Sequence, residues 1–396
     1  MNPADFSPSQ RPLCRRQPEG YHAFHPPPLP PLLAIDWKLT SLLSETDRAV
    51  AELSGAGRQL PNPHLLIRPY LRREAILSSR IEDTIAEVDD LLLFEVEPDQ
   101  KPRHPDILEV VNHVQALETG LRRLDELPIS SRLIRELHSI LLRSVRGGES
   151  AKTPGEFRRS QNWIGRPGAT LNEATYVPPP PGEVDPAIGA LENYLHADSE
   201  EPTLVKAALL HYQFEAIHPF LDGNGRIGRL LVTLYLCATG CLSQPLLYLS
   251  AFFEEHRDDY YRHLLSVSRK GAWRGWLEYF LTGVRETAVA ALGDTNKILA
   301  LHQSRRLQIQ KTKRVPAAAA ALLDAIFGGP IISITAYAKA SGEPFQKISN
   351  AVDFWVRQGL LHEMTGNRRN RLFIADEVLH IMTPRPTGNA PDTQAS

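Results

Sequence analysis

Apolar residues recur at a spacing of three to four positions through most of the chain, and this periodicity constrains the fold more than any other feature. It is first clear at residues 36–53, where Leu39 and Leu42 would share one helix face. A break rich in Gly and Pro at residues 55–63 precedes a second helical pattern at residues 69–92. Further helices are predicted at residues 107–124, 130–142, 184–195, 203–217, 225–239 and 249–291. The sequence therefore predicts a mainly α protein.

Residues 157–181 interrupt the helical pattern. They contain Trp163, Tyr176 and four consecutive prolines at 178–181, a composition typical of strands and turns. We predict a β-hairpin here that projects from the helical body.

The two ends of the chain differ from its middle. Residues 1–35 are rich in proline and predict an extended segment. Residues 301–380 have the order helix, helix, turn, helix and two short strands around a basic turn, which is typical of a winged helix-turn-helix domain. The predicted division is therefore 1–35, a helical region at 36–125, a core at 126–300, the winged helix at 301–380 and a tail at 381–396.

Charge and cysteine content exclude several classes of protein. The 396 residues include 44 Lys or Arg and 46 Asp or Glu, a formal net charge of −2 that argues against a uniformly basic nucleic-acid binder. Residues 305–380 are locally basic, with 11 Lys or Arg against 6 Asp or Glu. The three cysteines have neither disulfide nor zinc spacing. The uncharged run at 230–253 is broken by Gly240 and by a polar turn at 243–245, so we expect a cytoplasmic protein without a membrane span.

One segment of twelve residues concentrates reactive and charged groups. Residues 218–229 read His-Pro-Phe-Leu-Asp-Gly-Asn-Gly-Arg-Ile-Gly-Arg and join two predicted helices. The glycine spacing at 223–228 also fits a dinucleotide-binding fingerprint, but that fingerprint follows a strand, and the residues before this one have helical spacing. Glycines that turn backbone N–H groups inward, followed by a helix N-terminus, favour a polyphosphate site instead.

The side chains of this segment support a polyphosphate site. Asp222 is a carboxylate of the kind that holds Mg²⁺ between phosphate oxygens, and His218 can accept a proton from an attacking hydroxyl near neutral pH. Arg226 and Arg229 lie three residues apart, so they share a helix face and can contact different phosphates. The sequence therefore predicts a phosphoryl or nucleotidyl transfer site.

The same twelve residues resemble the HPFxDGNGRxxR motif of the Fic-domain proteins, which typically transfer AMP from ATP to a hydroxyl side chain of a target protein. The resemblance implies a Fic-type helical core, ATP as substrate, Mg²⁺ as cofactor, and a target that is another protein or the chain itself. It makes His218 the base and Asp222 the metal ligand. It also implies nucleotide contacts from Gly223, Asn224, Gly225, Arg226, Ile227, Gly228 and Arg229.

Two further segments resemble parts of the same family. The hairpin at 157–181 resembles the flap that aligns a target segment by strand addition, with Ile164 and Gly165 counted among the nucleotide contacts; the alternative is a purely structural hairpin. Tyr260 and Tyr261 resemble the tyrosines on the adenine side of the nucleotide, and their alternative is a place in the core.

A third resemblance lies upstream of the core. Residues 78–83, Ser-Ser-Arg-Ile-Glu-Asp, are similar to the family's inhibitory motif (S/T)xxxE followed by Gly or Asn. Ser78 and Glu82 would share a helix face, which leaves Glu82 free to pair with Arg229 and remove its contact with the γ-phosphate. Asp83 departs from the pattern, because the family has Gly or Asn there.

The leading hypothesis is therefore an autoinhibited, Mg²⁺-dependent protein adenylyltransferase. Two alternatives keep the fold but change the chemistry: de-adenylylation assisted by Glu82, or transfer of another phosphate-bearing group. A third is a DNA-binding regulator that uses residues 305–380, whose basic turn holds Arg368 and Arg369. A structural or protein-binding module would have the same composition.

Overall fold

The structure is a computed structural model that describes residues 1–59, 63–96, 104–145, 152–166, 168–366 and 371–382, apart from the side chains of residues 63–66 and 382. The basic turn with Arg368 and Arg369, the tail after residue 382 and part of the predicted Gly- and Pro-rich break at residues 55–63 lie outside the described residues.

The described residues are mainly helical, as predicted. The helices of the first 311 residues are α1 (Trp37–Arg58), α2 (Pro63–Ile81), α3 (Val88–Val96), α4 (Ile107–Arg123), α5 (Ser131–Leu141), α6 (Val184–His196), α7 (Thr203–Ile217), α8 (Asn224–Ala238), α9 (Ser250–Glu255), α10 (Arg257–Lys270) and α11 (Trp273–Lys311). None of the helices in the described part of the chain has the length and apolar character that crossing a bilayer requires.

Side-chain caps fix the starts of two helices where the sequence indicates them. The Asp36 carboxylate accepts a hydrogen bond from the Leu39 N–H at 3.0 Å and starts α1, and the Ser130 hydroxyl accepts one from the Leu133 N–H at 3.4 Å and starts α5. Each cap satisfies a backbone donor that has no partner within the helix.

The second helical pattern does not continue to residue 92, because α2 ends at Ile81. The Thr84 N–H donates to the Ser79 carbonyl at 3.2 Å, and Asp83 has a left-handed backbone with φ of 63°. This is a Schellman cap, in which a left-handed residue turns the chain away from the helix. Glu82 consequently sits at the end of a helix rather than in its middle.

Helices α7 and α8 form the centre of the molecule. Nearly every residue of α7 is buried, including polar ones such as Gln213, because α6, α10 and α11 surround it. Helix α8 packs against α7 and is covered by α2, α4 and α5. A helix that is apolar on all sides is expected in such a central position. The connection between α7 and α8 is residues 218–223, so the motif at 218–229 lies between the two central helices.

Residues 1–35 are more structured than the extended segment that the prolines predict. Strand β1 (Cys14–Arg16) pairs antiparallel with β2 (His22–Phe24), and Phe6 stacks on Phe24 with ring centroids 5.6 Å apart. Both aromatic rings are buried in the main core, and the Phe24 N–H donates to the Val177 carbonyl at 2.8 Å. Residues 1–35 therefore pack against residues 157–181.

The hairpin predicted at residues 157–181 is reduced to one antiparallel bridge between Ile164 and Tyr176, with a 3-10 turn at Leu171–Glu173 between them. The four prolines at 178–181 lack the N–H donors that a longer ladder needs. Other donors of this segment, namely Arg158, Asn162 and the Tyr176 hydroxyl, bond carbonyls of residues 216–220.

The C-terminal region contains the predicted elements and one additional strand. Helices α12 (Ala319–Gly328), α13 (Ile334–Ser341), α14 (Phe345–Arg357) and α15 (Asp376–Met382) accompany a three-stranded antiparallel sheet of order β3-β5-β4. Its strands are β3 (Ile331–Ser333), β4 (His362–Glu363) and β5 (Leu372–Ile374). Strand β3 escaped prediction because three residues are too few for a visible alternation.

The C-terminal region is joined closely to the rest of the protein. Helix α11 continues from Trp273 to Lys311, so the predicted boundary at residue 300 falls inside a helix. Helix α12 packs against α2, where Arg72 donates to the Gly328 carbonyl at 2.8 Å. Most buried apolar side chains of both regions form one hydrophobic cluster, and a smaller cluster joins Leu92 of α3 to Ile331, Leu372 and Ile374 of the C-terminal sheet.

Candidate active site

The connection between α7 and α8 has a backbone fixed by its own residues. His218 ends α7 with a left-handed conformation, φ 49° and ψ 60°, and its N–H donates to the Phe214 carbonyl at 3.0 Å. At the other end, the Asn224 side chain accepts from the Phe220 N–H and donates to the Phe220 carbonyl, both at 2.8 Å. Asn224 thus closes the loop with its side chain.

The N-terminus of α8 carries donors suited to an anion. The first intrahelical bond runs from the Ile227 N–H to the Gly223 carbonyl at 3.0 Å, so the N–H groups of residues 224–226 have no partner within the helix. A Cβ atom at Gly225 would collide with Oε1 of Glu82. The Glu82 carboxylate therefore lies against the positive end of the helix, where phosphate is also favoured.

Arg229 is buried and joined to the end of α2. Its Nε donates to the Ser78 hydroxyl at 2.9 Å, and its Nη2 donates to the Ser78 carbonyl and to Oε1 of Glu82, both at 2.8 Å. Burial, the largest single influence, lowers its pKa, but Glu82, Tyr260, Tyr261 and Glu215 together outweigh burial and hold the pKa of Arg229 above its ordinary value. The structure thus brings Ser78, Glu82 and Arg229 together, although Glu82 and Arg229 are 147 residues apart in the sequence.

Arg226 is equally buried but has different partners. Its Nη1 lies 2.7 Å from Oε2 of Glu109 in the first turn of α4, and its Nη2 lies 3.4 Å from Oδ1 of Asp222. The two arginines therefore leave α8 toward different neighbours, Arg226 toward α4 and Arg229 toward α2.

Asp222 is the carboxylate available for a metal ion. Its Oδ1 accepts from the Gly223 N–H at 2.6 Å, and its Oδ2 lies 2.6 Å from Nζ of Lys152. Burial raises the pKa of Asp222, but Arg226 and Lys152 outweigh burial and leave it below its usual value. The ionised carboxylate already holds a cationic group, and a single carboxylate fits Mg²⁺ that is held mainly by phosphate. No group of three or more His, Cys, Asp or Glu side chains suited to a metal lies among the described residues.

His218 is neutral at physiological pH. Burial, and to a lesser extent the Arg158 guanidinium, lower its pKa to about 4. The Glu215 carbonyl and the carboxylates of Glu82 and Asp222 act in the opposite direction. A neutral imidazole can accept a proton, so this environment keeps His218 in the state that a general base requires.

Family models match both halves of this arrangement. Residues 40–122 match the Fic/DOC family N-terminal region, and residues 128–236 match the Fic/DOC family itself. The chain is a Fic-domain protein.

Curated relatives of this Fic-domain protein are called Protein adenylyltransferase Fic. One from Drosophila willistoni is 28% identical over 208 residues, 52% of this chain and 37% of the relative. One from Drosophila virilis is 31% identical over 167 residues, 41% of this chain and 30% of the relative. The matches thus span only about a third of the relatives' length. The crystal structure of a Fic family protein from Desulfovibrio desulfuricans G20 shares the fold, with a TM-score of 0.55 and 20% identity over 88% of this chain and 98% of that one.

The two tyrosines of the Fic domain occupy different environments. Tyr260 is buried, shares a hydrogen bond with Nε2 of His211 at 2.8 Å and stacks on Phe253, so its ring belongs to the core. Tyr261 is 41% exposed and its hydroxyl lies 3.4 Å from the Ile81 carbonyl, beside the end of α2. Of the pair, Tyr261 is the one that borders the site.

The flap residues lie at the edge of the Fic domain. Ile164 is 42% exposed and forms the single bridge with Tyr176, and Gly165 follows it. Neighbouring Trp163 is 43% exposed, and its indole N–H donates to the Ala169 carbonyl at 2.9 Å. These side chains present an apolar edge to solvent.

Three residues of the site escaped the sequence analysis because they come from distant helices or turns. Lys152 and Glu109 bind Asp222 and Arg226, as described above. His138 of α5 stacks on Phe220 with centroids 3.6 Å apart and has its Nε2 3.0 Å from the Asp222 carbonyl. Its Nδ1 accepts the Gly155 N–H at 2.9 Å, which places the proton on Nε2. Charged residues on amphipathic helices gave no signal of their own.

Proposed function

We propose that this protein transfers AMP from ATP to a Ser, Thr or Tyr hydroxyl of another protein or of the chain itself. The observation that carries the proposal is the N-terminus of α8, whose unpartnered N–H groups and buried Arg226 and Arg229 flank a six-residue loop with neutral His218 at its start. The names of the curated relatives support the same activity.

The chemistry follows from the groups around the loop. Neutral His218 accepts the hydroxyl proton as the oxygen attacks the α-phosphorus of ATP. A new P–O bond forms, the bond between the α-phosphorus and the bridging oxygen breaks, and pyrophosphate leaves with the electron pair. The N–H groups at the start of α8 hold the α-phosphate, and Arg229 is the cation for the γ-phosphate once Glu82 has left it.

Asp222 is the residue that would hold Mg²⁺. When bound, the ion supplies positive charge to the phosphates of ATP. Lys152 already brings an ammonium group to the same carboxylate, and His138 holds the Asp222 backbone. These neighbours keep the carboxylate ionised and oriented.

The exposed edge at Ile164 aligns the target. A target segment in extended conformation can add to this edge, and the half-exposed side chains of Trp163 and Ile164 offer apolar contacts. The edge leads directly into residues that contact the His218 loop, so a docked hydroxyl would face the base.

Glu82 restrains the enzyme. Its carboxylate uses the Arg229 guanidinium and lies at the α8 N-terminus, the two places that a triphosphate would use. ATP can then bind with its γ-phosphate misplaced and its α-phosphorus out of line. Relief of inhibition requires the end of α2 to move away.

We also infer that residues 301–380 include a winged helix, a fold supported by the order α12, β3, α13, α14, β4 and β5. DNA binding is not part of the proposal, because Lys347 of helix α14 is paired with Glu343 at 2.7 Å and Asp353 lies on the same helix. A mobility shift of duplex DNA that weakens as salt rises would reopen that alternative.

Parallel incubations with α-labelled and γ-labelled ATP test the activity. The full chain and its Glu82→Gly variant are compared, with His218→Ala as the inactive control. Retention of the α label alone supports AMP transfer. Retention of the γ label would identify a kinase, and absence of both labels from the Glu82→Gly variant and from added target proteins would remove the proposal.

A further inference from the structure

Five successive backbone carbonyls, from residue 216 to residue 220, accept hydrogen bonds from residues 157–181. They run from the last turn of α7 through the start of the catalytic loop, and the flap segment supplies a donor to each. The bonds are Tyr176 hydroxyl to Ala216 at 2.7 Å, Arg158 Nη2 to Ile217 at 3.5 Å, Arg158 Nε to His218 at 2.9 Å, Arg158 N–H to Pro219 at 2.9 Å, and Asn162 Nδ2 to Phe220 at 2.8 Å.

Arg158 supplies three of these five bonds and also joins the two arms of the flap. Its Nη2 donates to the Pro179 carbonyl, at the opposite end of the segment. The residue is 2% exposed, and burial lowers the pKa of its guanidinium to about 10. No carboxylate of the described residues forms an ion pair with it. This buried cation therefore donates from Nε and Nη2 to backbone carbonyls in charge-assisted hydrogen bonds, while its Nη1 has no partner among the described residues.

The hydrogen bond to the His218 carbonyl restrains a residue with an unfavourable backbone conformation. His218 has φ of 49° and ψ of 60°, a left-handed backbone that is unfavourable for a residue with a side chain. Such a conformation persists only where the surroundings fix it. The Arg158 bonds on both sides of the His218 peptide provide that restraint.

We propose that Arg158 is a positioning residue for AMP transfer: from the base of the flap it holds the left-handed backbone of His218, and so the direction of the imidazole. The inference rests on the function proposed above. It also makes target alignment and base orientation parts of one hydrogen-bonded unit, because Asn162 of this network lies two residues from the Ile164 edge.

The test compares Arg158→Met and Arg158→Lys, each in the Glu82→Gly background so that transfer is fast enough to measure. Methionine keeps much of the volume but no donor, and lysine keeps the charge but loses the fork. The matched control is Arg159→Met, because the neighbouring Arg159 side chain is 87% exposed and pairs only with Glu156 in the described contacts. ATP affinity and melting temperature are measured for every variant.

Misplacing a catalytic group by about 1 Å costs on the order of 100-fold in rate, so Arg158→Met should lower the transfer rate by about that factor. The transfer rate of Arg158→Lys should lie between those of the parent and of Arg158→Met, at about a tenfold loss. The ATP dissociation constant should stay within about threefold, because Arg158 contacts no part of the α8 N-terminus, and Arg159→Met should transfer at about the parent rate.

The pH profile separates positioning from general damage to the fold. The groups that face His218 are Arg158, the carboxylates of Glu82 and Asp222 and the Glu215 carbonyl. Glu82 is absent from the parent and from every variant, so Arg158 is the only one of these groups that differs between them. Loss of the Arg158 charge raises the His218 pKa, so the acidic limb of the rate profile moves to higher pH in Arg158→Met. It stays in place in Arg158→Lys, which keeps the charge.

Titration of the His218 ring by NMR, assigned with His218→Ala, gives a readout independent of transfer. If the Glu82→Gly parent shows no transfer, the proposed function fails while the titration still decides the present inference. A His218 pKa that is the same in the parent and in Arg158→Met overturns the inference, as does a parental transfer rate in both Arg158 variants. If Arg158→Met does not fold, the rate of Arg158→Lys at an unchanged melting temperature decides.

Discussion

The catalytic motif is contacted from two sides, and the two contacts are built differently. On one side, Tyr176, Arg158 and Asn162 donate to five consecutive carbonyls, and the first two of these donors are buried. On the other, the end of α2 reaches the motif through Ser78 and through Glu82, whose side chain is 36% exposed. The comparison shows that His218, the proposed base, is held firmly, whereas the proposed inhibitory contact of Glu82 lies at a helix end.

The physical difference lies in what each contact would leave behind if it opened. If residues 157–181 moved away, several buried carbonyls and the buried Arg158 cation would lose their hydrogen-bond partners. Each unsatisfied buried group would carry an unfavourable free energy. Withdrawing Glu82 exposes a carboxylate that already touches water and frees Arg229 for another anion. Helix ends also fray most easily. The Glu82 contact is therefore the one that we propose to open during regulation.

The largest effect on AMP transfer should come from replacing His218, on the side that residues 157–181 hold firmly. We expect His218→Ala to lower AMP transfer by about 1000-fold, because general base catalysis contributes about 100- to 10,000-fold. ATP affinity, measured by calorimetry, should remain within a few-fold, since other groups hold the phosphates. Transfer that survives at the parent rate would place the base elsewhere.

On the releasable side, Glu82→Gly should raise transfer by about ten- to thirtyfold. A charge-assisted hydrogen bond is worth about 1.5–3 kcal/mol, and the partial exposure of Glu82 favours the lower end, at about 1.4 kcal/mol per tenfold change. Initial rates of label incorporation measure the change. Glu87→Gln is the control, because that carboxylate pairs with Arg80 and not with Arg229. An unchanged or lower rate with intact ATP binding would favour a role of Glu82 in de-adenylylation.

A smaller effect should follow from Asp83, the residue that departs from the family pattern. Its φ of 63° explains why Gly or Asn is favoured there, and its carboxylate pairs with Arg257 at 2.7 Å. Asp83→Asn keeps a side chain that tolerates the left-handed region and removes the exposed ion pair, worth at most about 1 kcal/mol. We expect basal transfer to rise by no more than about fivefold. A rise equal to that of Glu82→Gly would make Arg257 a main part of the inhibitory contact.

The smallest change should appear in the pH dependence of the Glu82→Gly variant. Since burial and Arg158 lower the His218 pKa to about 4, the base is neutral at both pH 5.5 and pH 7, and the rates should agree within about twofold. A histidine with the ordinary pKa of about 6.5 would lose about eightfold over the same interval. Stopped assays at the two pH values distinguish these outcomes, and an eightfold loss would show that the His218 environment is more open than the structure has it.

Local sequence patterns were sufficient for much of the fold. The helical spacing of apolar residues located most helices, and the predicted starts at residues 36 and 130 coincide with the observed caps at Asp36 and Ser130. The motif at 218–229 is contiguous, so its glycines, arginines and base could be read directly from the chain. The boundary at Ile81 was missed because the left-handed cap at Asp83 has no glycine to mark it.

What the sequence determined by itself is the chemistry of the connection between α7 and α8, because neighbours in the chain remain neighbours in a tight loop. Only the tertiary structure decided what surrounds that connection. Glu109, His138, Lys152 and Arg158 reach it from separate segments, and each is an ordinary polar residue in its local sequence. Their roles depend on burial and on distances between elements far apart in the chain, which no local periodicity encodes. The same holds for Tyr260 and Tyr261, adjacent residues that helix rotation sends to the core and to the site edge.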